Sequence, residues 1–162
     1  MKRVPVCVAL IGLGVSLFSA ARAQTGQGTS RAATAAGTPA PQTYKGLELS
    51  IGGLERASSA GLADCPPGAN TVRAMTKPGE EFAIVTVKMK VLTNYQPAPL
   101  KRPVLTDTAG KTYNTAASFV DVGKVPEFSC AFPFRVPEGT KVKSVQIDTA
   151  SFDLTSLDAK PR

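Results

Sequence analysis

The alternation of apolar and polar positions is clearest over residues 81–92. Ala83, Val85, Val87, Met89 and Val91 take one side, and Thr86, Lys88 and Lys90 the other. A helix needs apolar residues three and four apart. Strict alternation rich in β-branched residues marks a strand with one face on a core and one toward water. The same period of two runs through Leu47, Leu49 and Ile51, pauses at Gly52-Gly53, and continues over residues 54–56 as if past a glycine bulge. Phe128, Cys130, Phe132, Phe134 and Val136 share the face of another strand. Pro133 falls on its other face. Proline cannot donate to a ladder, so a sheet edge is expected along one side of that strand.

Residues 104–107 and 111–113 flank Thr108-Ala109-Gly110 as a hairpin, with glycine available for a positive φ. Shorter strands are expected near residues 71–75 and from Val145 to about Ser151. Residues 58–70 read as a loop, residues 94–103 as a crossing loop with three prolines, and residues 118–128 as irregular chain. About seven short strands with frequent turns and no amphipathic helix predict an all-β fold, an antiparallel β-sandwich. A small barrel is the architectural alternative. The domain is expected over residues 44–154, followed by a polar, frayed tail at 155–162.

The first 43 residues have a different texture. Met1-Lys2-Arg3 precedes an uncharged apolar run to Phe18, and Ala21-Arg22-Ala23 gives the small-x-small pattern of a cleavage site. Residues 1–23 therefore read as a cleaved signal peptide, too short to span a bilayer and without a stop-transfer cluster. Cys7 lies before most of the apolar run, so it does not sit where a lipidated cysteine would. Residues 24–43 are small and polar with one charge, and are expected to form a flexible leader.

Export changes both charge and cysteine arithmetic. Losing Lys2, Arg3 and Arg22 takes 19 basic residues to 16 against 12 acidic ones, so the formal charge falls from +7 to +4. That excess is scattered, without the basic stripe and interleaved aromatics of a nucleic-acid binder. Cys65 and Cys130 remain, an even pair in an oxidising compartment, and read as one disulfide. It would contribute about 4 kcal/mol in the chain-entropy account. Cys130 faces the core and Cys65 belongs to a loop, so the bridge is expected to pin that loop over the core.

Several phrases together resemble a known family. They are Tyr44-Lys45-Gly46-Leu47-Glu48-Leu49-Ser50-Ile51, the stretch from Pro78 to Val87, Asp107-Thr108-Ala109-Gly110-Lys111-Thr112-Tyr113, and Phe134-Arg135-Val136-Pro137-Glu138-Gly139. In this order they resemble, over residues 44–150, a family of uncharacterised exported bacterial immunoglobulin-like domains. That family is similar in fold to mycobacterial immunoprotective extracellular antigens. The resemblance implies an immunoglobulin-like sandwich at the cell surface or in the periplasm, often tethered as a lipoprotein. This chain departs in lacking a lipobox and in carrying the Cys65/Cys130 pair. The family has no established activity to carry over.

Reactive constellations are sparse. The chain has no histidine, which removes the usual general base and the commonest metal ligand. Glu80 and Glu81 begin a strand and point to opposite faces, so they cannot form a dyad. Asp121 and Glu127 are too few for calcium. No cofactor, catalytic residue or metal site is expected. Lys88 and Lys90, with Lys101 and Arg102 in the next loop, are candidates for a basic binding patch. Lysines on a solvated face are the plainer reading. Residues 95–100 (Tyr95-Gln96-Pro97-Ala98-Pro99-Leu100) are either a recognition loop or a stiff connector. The expected function is an exported, secreted or periplasmic, non-catalytic domain that binds a protein or cell-envelope component, with no nucleic acid and no membrane span after cleavage. The alternative is a secreted hydrolase, or a hydrolase inhibitor, using carboxylates that only folding brings together.

Overall fold

Alternation in the sequence becomes two facing sheets in the computed structural model, which describes residues 37–68 and 71–159. The expected signal peptide lies outside the described residues, as does most of the leader. The first sheet contains β1 (Gln42–Tyr44), β2 (Leu47–Ala57), β5 (Glu80–Val91) and β8 (Glu127–Pro137), in the order β1-β2-β5-β8. The second contains β6 (Val104–Asp107), β7 (Thr112–Asn114), β9 (Val142–Ile147) and β10 (Ala150–Asp153), in the order β10-β9-β6-β7. Every pairing in both sheets is antiparallel. The protein is an antiparallel β-sandwich. Its neighbours β2-β5-β8 and β10-β9-β6 follow the A-B-E and G-F-C orders of immunoglobulin-type sheets.

The apolar faces read from the sequence meet in one core. Leu47, Leu49, Val85, Val87, Met89, Phe132 and Phe134 of the first sheet pack with Leu105, Val145, Ile147 and Phe152 of the second, all essentially sealed from water. The ladder between β2 and β5 shifts register between Ile51 and Gly53, where the glycine pair implied a bulge. Pro133 pairs with Ile84 and stands on β8, the marginal strand of its sheet, as its missing N–H requires.

Among the described residues ten strands stand where about seven were expected, and the differences have local causes. Residues 59–62 are not loop but β3 (Ser59–Leu62), paired with β4 (Val72–Met75) as a separate ribbon. β3 packs on both β5 and β8, which are neighbours, so it lies across a face of the first sheet. Phe82 points outward there yet is buried. The guanidinium of Arg135 stands 5.4 Å from the Phe82 ring centroid, and its Nη2 donates to the Met75 carbonyl at 3.1 Å. A sequence of Ser, Ala and Gly carries no apolar alternation to announce such a strand.

The single last strand expected to Ser151 is a hairpin, β9 and β10, turned at Asp148-Thr149 with Asp148 at φ 52°. β1 recruits Gln42 and Thr43 from the expected leader through the two-residue turn Lys45-Gly46. The expected frayed tail starts as a helical turn, α1 (Thr155–Asp158), with Leu157 packed on the core. Only 160–162 lie outside the described residues there.

Strand directions define two ends of the sandwich. At one end lie the Lys45-Gly46 turn, residues 92–103, residues 121–126 and the Asp148-Thr149 turn. At the other lie residues 76–79, residues 137–141 and α1. Gly37 accepts a hydrogen bond from the Ser156 hydroxyl at this second end.

Candidate binding surface

The register gives the two lysines of the expected basic patch on β5 different neighbours. On the outer face of β5, Lys90 stands directly between Glu48 of β2 and Glu127 of β8, while Lys88 stands between Ser50 and Ser129. Directly opposed unlike charges on a sheet face attract, so two carboxylates flank one of the two lysines and offset its charge. Lys101 and Arg102 are exposed just before β6, in the other sheet. Lys88 and Lys90 thus stand on β5, and Lys101 and Arg102 in the loop that leads into β6.

The proline-bearing loop has more structure around it than its composition suggested. Tyr95, Pro97, Ala98, Pro99 and Leu100 line a shallow pocket of about 390 Å³ together with Phe119, Asp121 and Val122. Tyr95 is its pivot. Its hydroxyl donates to the Val122 carbonyl at 3.0 Å, its amide to the Leu92 carbonyl at 3.0 Å, and Gln96 donates to the Lys45 carbonyl at 3.0 Å. Two glycines make room for it. A Cβ on Gly46 would fall 2.5 Å from the Tyr95 Cα, and one on Gly123 would fall 2.6 Å from its Cε1. The non-glycine residues with positive φ among those described, Lys45, Asp121 and Asp148, all lie at this end. Left-handed backbone is uncommon outside glycine and collects at functional loops.

The second wall of the pocket is held by the disulfide. Cys65 and Cys130 are bonded, with Cα atoms 5.6 Å apart, and both are buried. The Cys65 amide donates to the Ser118 carbonyl at 2.8 Å, and the Val120 amide donates to the Cys65 carbonyl at 2.8 Å. Phe119, between those two contacts, packs on Phe132 with ring centroids 5.4 Å apart. The bridge thus enters the core itself and steadies Phe119 as well as its own loop.

The opposite end carries the buried charges. Arg56 donates to Glu81 at 3.0 Å, to Asp158 at 2.6 Å and to the Thr140 carbonyl at 2.8 Å. Burial alone would push the Asp158 carboxyl up. The Arg56 hydrogen bond, the Val142 amide at 2.9 Å and the charges of Arg56 and Lys141 outweigh it and hold the carboxyl below its ordinary range. A groove of about 510 Å³ beside this network is lined by Glu80, Glu81 and Glu138 among others. Glu80 and Glu81 do point apart, each to its own arginine, Arg135 at 3.1 Å and Arg56 at 3.0 Å. They form no acid–base dyad. Among the described residues no group of three or more Asp, Glu, Cys or His is placed to hold a metal ion, and no helix is long and apolar enough to cross a membrane.

The fold defines the class: an all-antiparallel β-sandwich. No family model and no curated protein matches the chain. Among solved structures, it is similar to an uncharacterised β-sandwich protein from Clostridium difficile 630, with 9% identity, a TM-score of 0.44, and coverage of 70% of this chain and 87% of that one. What the resemblance over residues 44–150 implied is met in the β-sandwich fold.

Proposed function

We propose that this protein is an exported, non-catalytic domain that binds a protein or cell-envelope component through the end of the sandwich centred on Tyr95. The observation that carries the reading is the pocket between residues 95–100 and 119–122, where Tyr95, Phe119 and Leu100 stand beside a comparable share of polar surface. Binding sites are concave, apolar and largely pre-formed, with a few polar groups to fix orientation. Here the Tyr95–Val122 hydrogen bond ties the two loops together, and the disulfide steadies the Phe119 side. Loops on a rigid scaffold are the usual carriers of recognition. Nothing comparable supports hydrolysis, because the paired glutamates at the other end are committed to arginines.

Site-specific photo-crosslinking tests the reading. A benzophenone side chain at Ala98 is expected to capture a discrete partner from envelope extract, whereas one at Thr155 is not. Capture from Thr155 alone, or from neither position, rejects it. Export is tested separately by N-terminal sequencing of the protein recovered outside the cytoplasm. The expected first residue is Gln24, and a chain still beginning at Met1 rejects the signal-peptide reading.

A further inference from the structure

Resting on that reading, we propose that the Tyr95 pocket takes an extended, acidic polypeptide segment, seating a proline or other apolar side chain beside a carboxylate. The apolar part of the argument is the lining. Tyr95, Phe119, Leu100 and the rings of Pro97 and Pro99 offer flat and branched carbon surfaces within about 390 Å³. A shallow pocket of that kind holds one or two side chains. Extended and polyproline segments dock in aromatic-lined grooves in this way, because their stiff backbone loses little entropy on binding.

The charge part lies in the rim. Lys101 and Arg102 follow Leu100 directly and are exposed. Lys45, whose carbonyl holds Gln96, is exposed on the adjoining turn, with its ammonium 5.5 Å from the Tyr44 ring centroid. Among the described residues none of these three cations has a carboxylate partner. The acid that lines the pocket, Asp121, makes an exposed pair with Lys124 at 2.8 Å, and Asp148 stands on the β9–β10 turn of the same end. Beside the pocket, three exposed cations thus stand without a carboxylate partner among the described residues, against the one charged group of its lining, Asp121. Complementary charge across such a rim selects partners and speeds encounter. Arginine adds a planar fork that matches a carboxylate in two-point contact.

The test is selection of a random heptapeptide phage library on the purified protein, followed by affinity measurements on synthetic copies of the enriched peptides. Enriched peptides are expected to place Asp or Glu next to a proline, leucine or aromatic residue. Lys101→Glu with Arg102→Glu should weaken them about ten-fold at low salt, with the difference shrinking as salt rises. Ala98→Gln, which fills the pocket without touching the core, should abolish binding; its melting temperature confirms that the fold survives. Peptides that need the pocket but show no acidic preference, and ignore the charge reversal, overturn the acidic partner and leave the pocket reading standing. Peptides indifferent to Ala98→Gln, or no enrichment at all, overturn both. Binding to 1:1 phosphatidylglycerol–phosphatidylcholine vesicles that is lost on charge reversal, without peptide enrichment, assigns the rim to a membrane surface and overturns the proposal.

Discussion

The Tyr95 hydroxyl and the Val122 carbonyl, 3.0 Å apart, join the loop that leaves β5 to the loop that enters β8. Their separation in sequence is 27 residues, and the contact exists only because Gly46 and Gly123 leave the ring its space. Removing the hydroxyl with Tyr95→Phe should cost about 1 kcal/mol, the usual net worth of one such bond. Amide exchange should quicken around residues 121–125 while the sheet cores keep their protection. Gly123→Ala should cost more, because a methyl there meets the ring and the residue holds φ at +110°. Urea unfolding ranks the two variants, and the reverse order would refute the packing account.

Lys88 and Lys90 look alike in sequence but not in the ladder. Lys90→Glu places three carboxylates side by side across β2, β5 and β8 and should destabilise the fold by ~0.5–1 kcal/mol at low salt. Lys88→Glu sits between two serines and should fall within about 0.5 kcal/mol of the parent. Paired thermal melts at low and high salt separate them, since only the first difference should shrink on screening.

Asp158 links stability to acid. Its folded pKa is depressed, so its contribution is complete above the unfolded carboxylate value of about 3.9 and is lost as pH falls through the folded value. The parent protein should therefore lose melting temperature below about pH 4. Asp158→Asn should start lower at neutral pH and show a shallower acid slope. An unchanged slope in the variant would remove Asp158 from the linkage. At pH 7 the substitution should cost about 1.5–3 kcal/mol, the range for a hydrogen bond to a charged partner.

Both half-cystines are buried, so dithiothreitol should reach the bridge only when the fold opens. With dithiothreitol present, alkylation should label neither Cys65 nor Cys130 until denaturant is added, as read by mass spectrometry. Cys65→Ala with Cys130→Ala should cost about 2–4 kcal/mol. Because Cys65 is backbone-bonded to Ser118 and Val120, the loss should also loosen Phe119.

The ladder strands were legible because an alternating code survives wherever one face is buried. Residues 81–92, the Ile51/Gly53 irregularity and the edge at Pro133 all follow from backbone chemistry that the residue types carry. β3 was not legible: Ser59, Ala60 and Gly61 become a strand through β4 and through lying over β5 and β8, which is a tertiary property. Nor was the β9–β10 turn, since Asp148 takes the left-handed position without the glycine that signals it. The proline loop was visible as a choice between connector and recognition loop. Its partners Phe119 and Val122 were hidden in an irregular segment, and the tyrosine's need for a hydrogen-bond acceptor was the one clue to them. The surroundings of Lys90 were not legible either, because the carboxylates beside it, Glu48 and Glu127, come from strands far away in sequence.

The contact between Gly37 and Ser156 puts the first and last described residues, Gly37 and Ala159, at the end opposite Tyr95. A dye or surface anchor attached at Gly37 or Ala159 therefore sits at the far end from residues 95–100. Oriented immobilisation at either of those two residues presents the Tyr95 loops to solvent like the tip of a mounted probe.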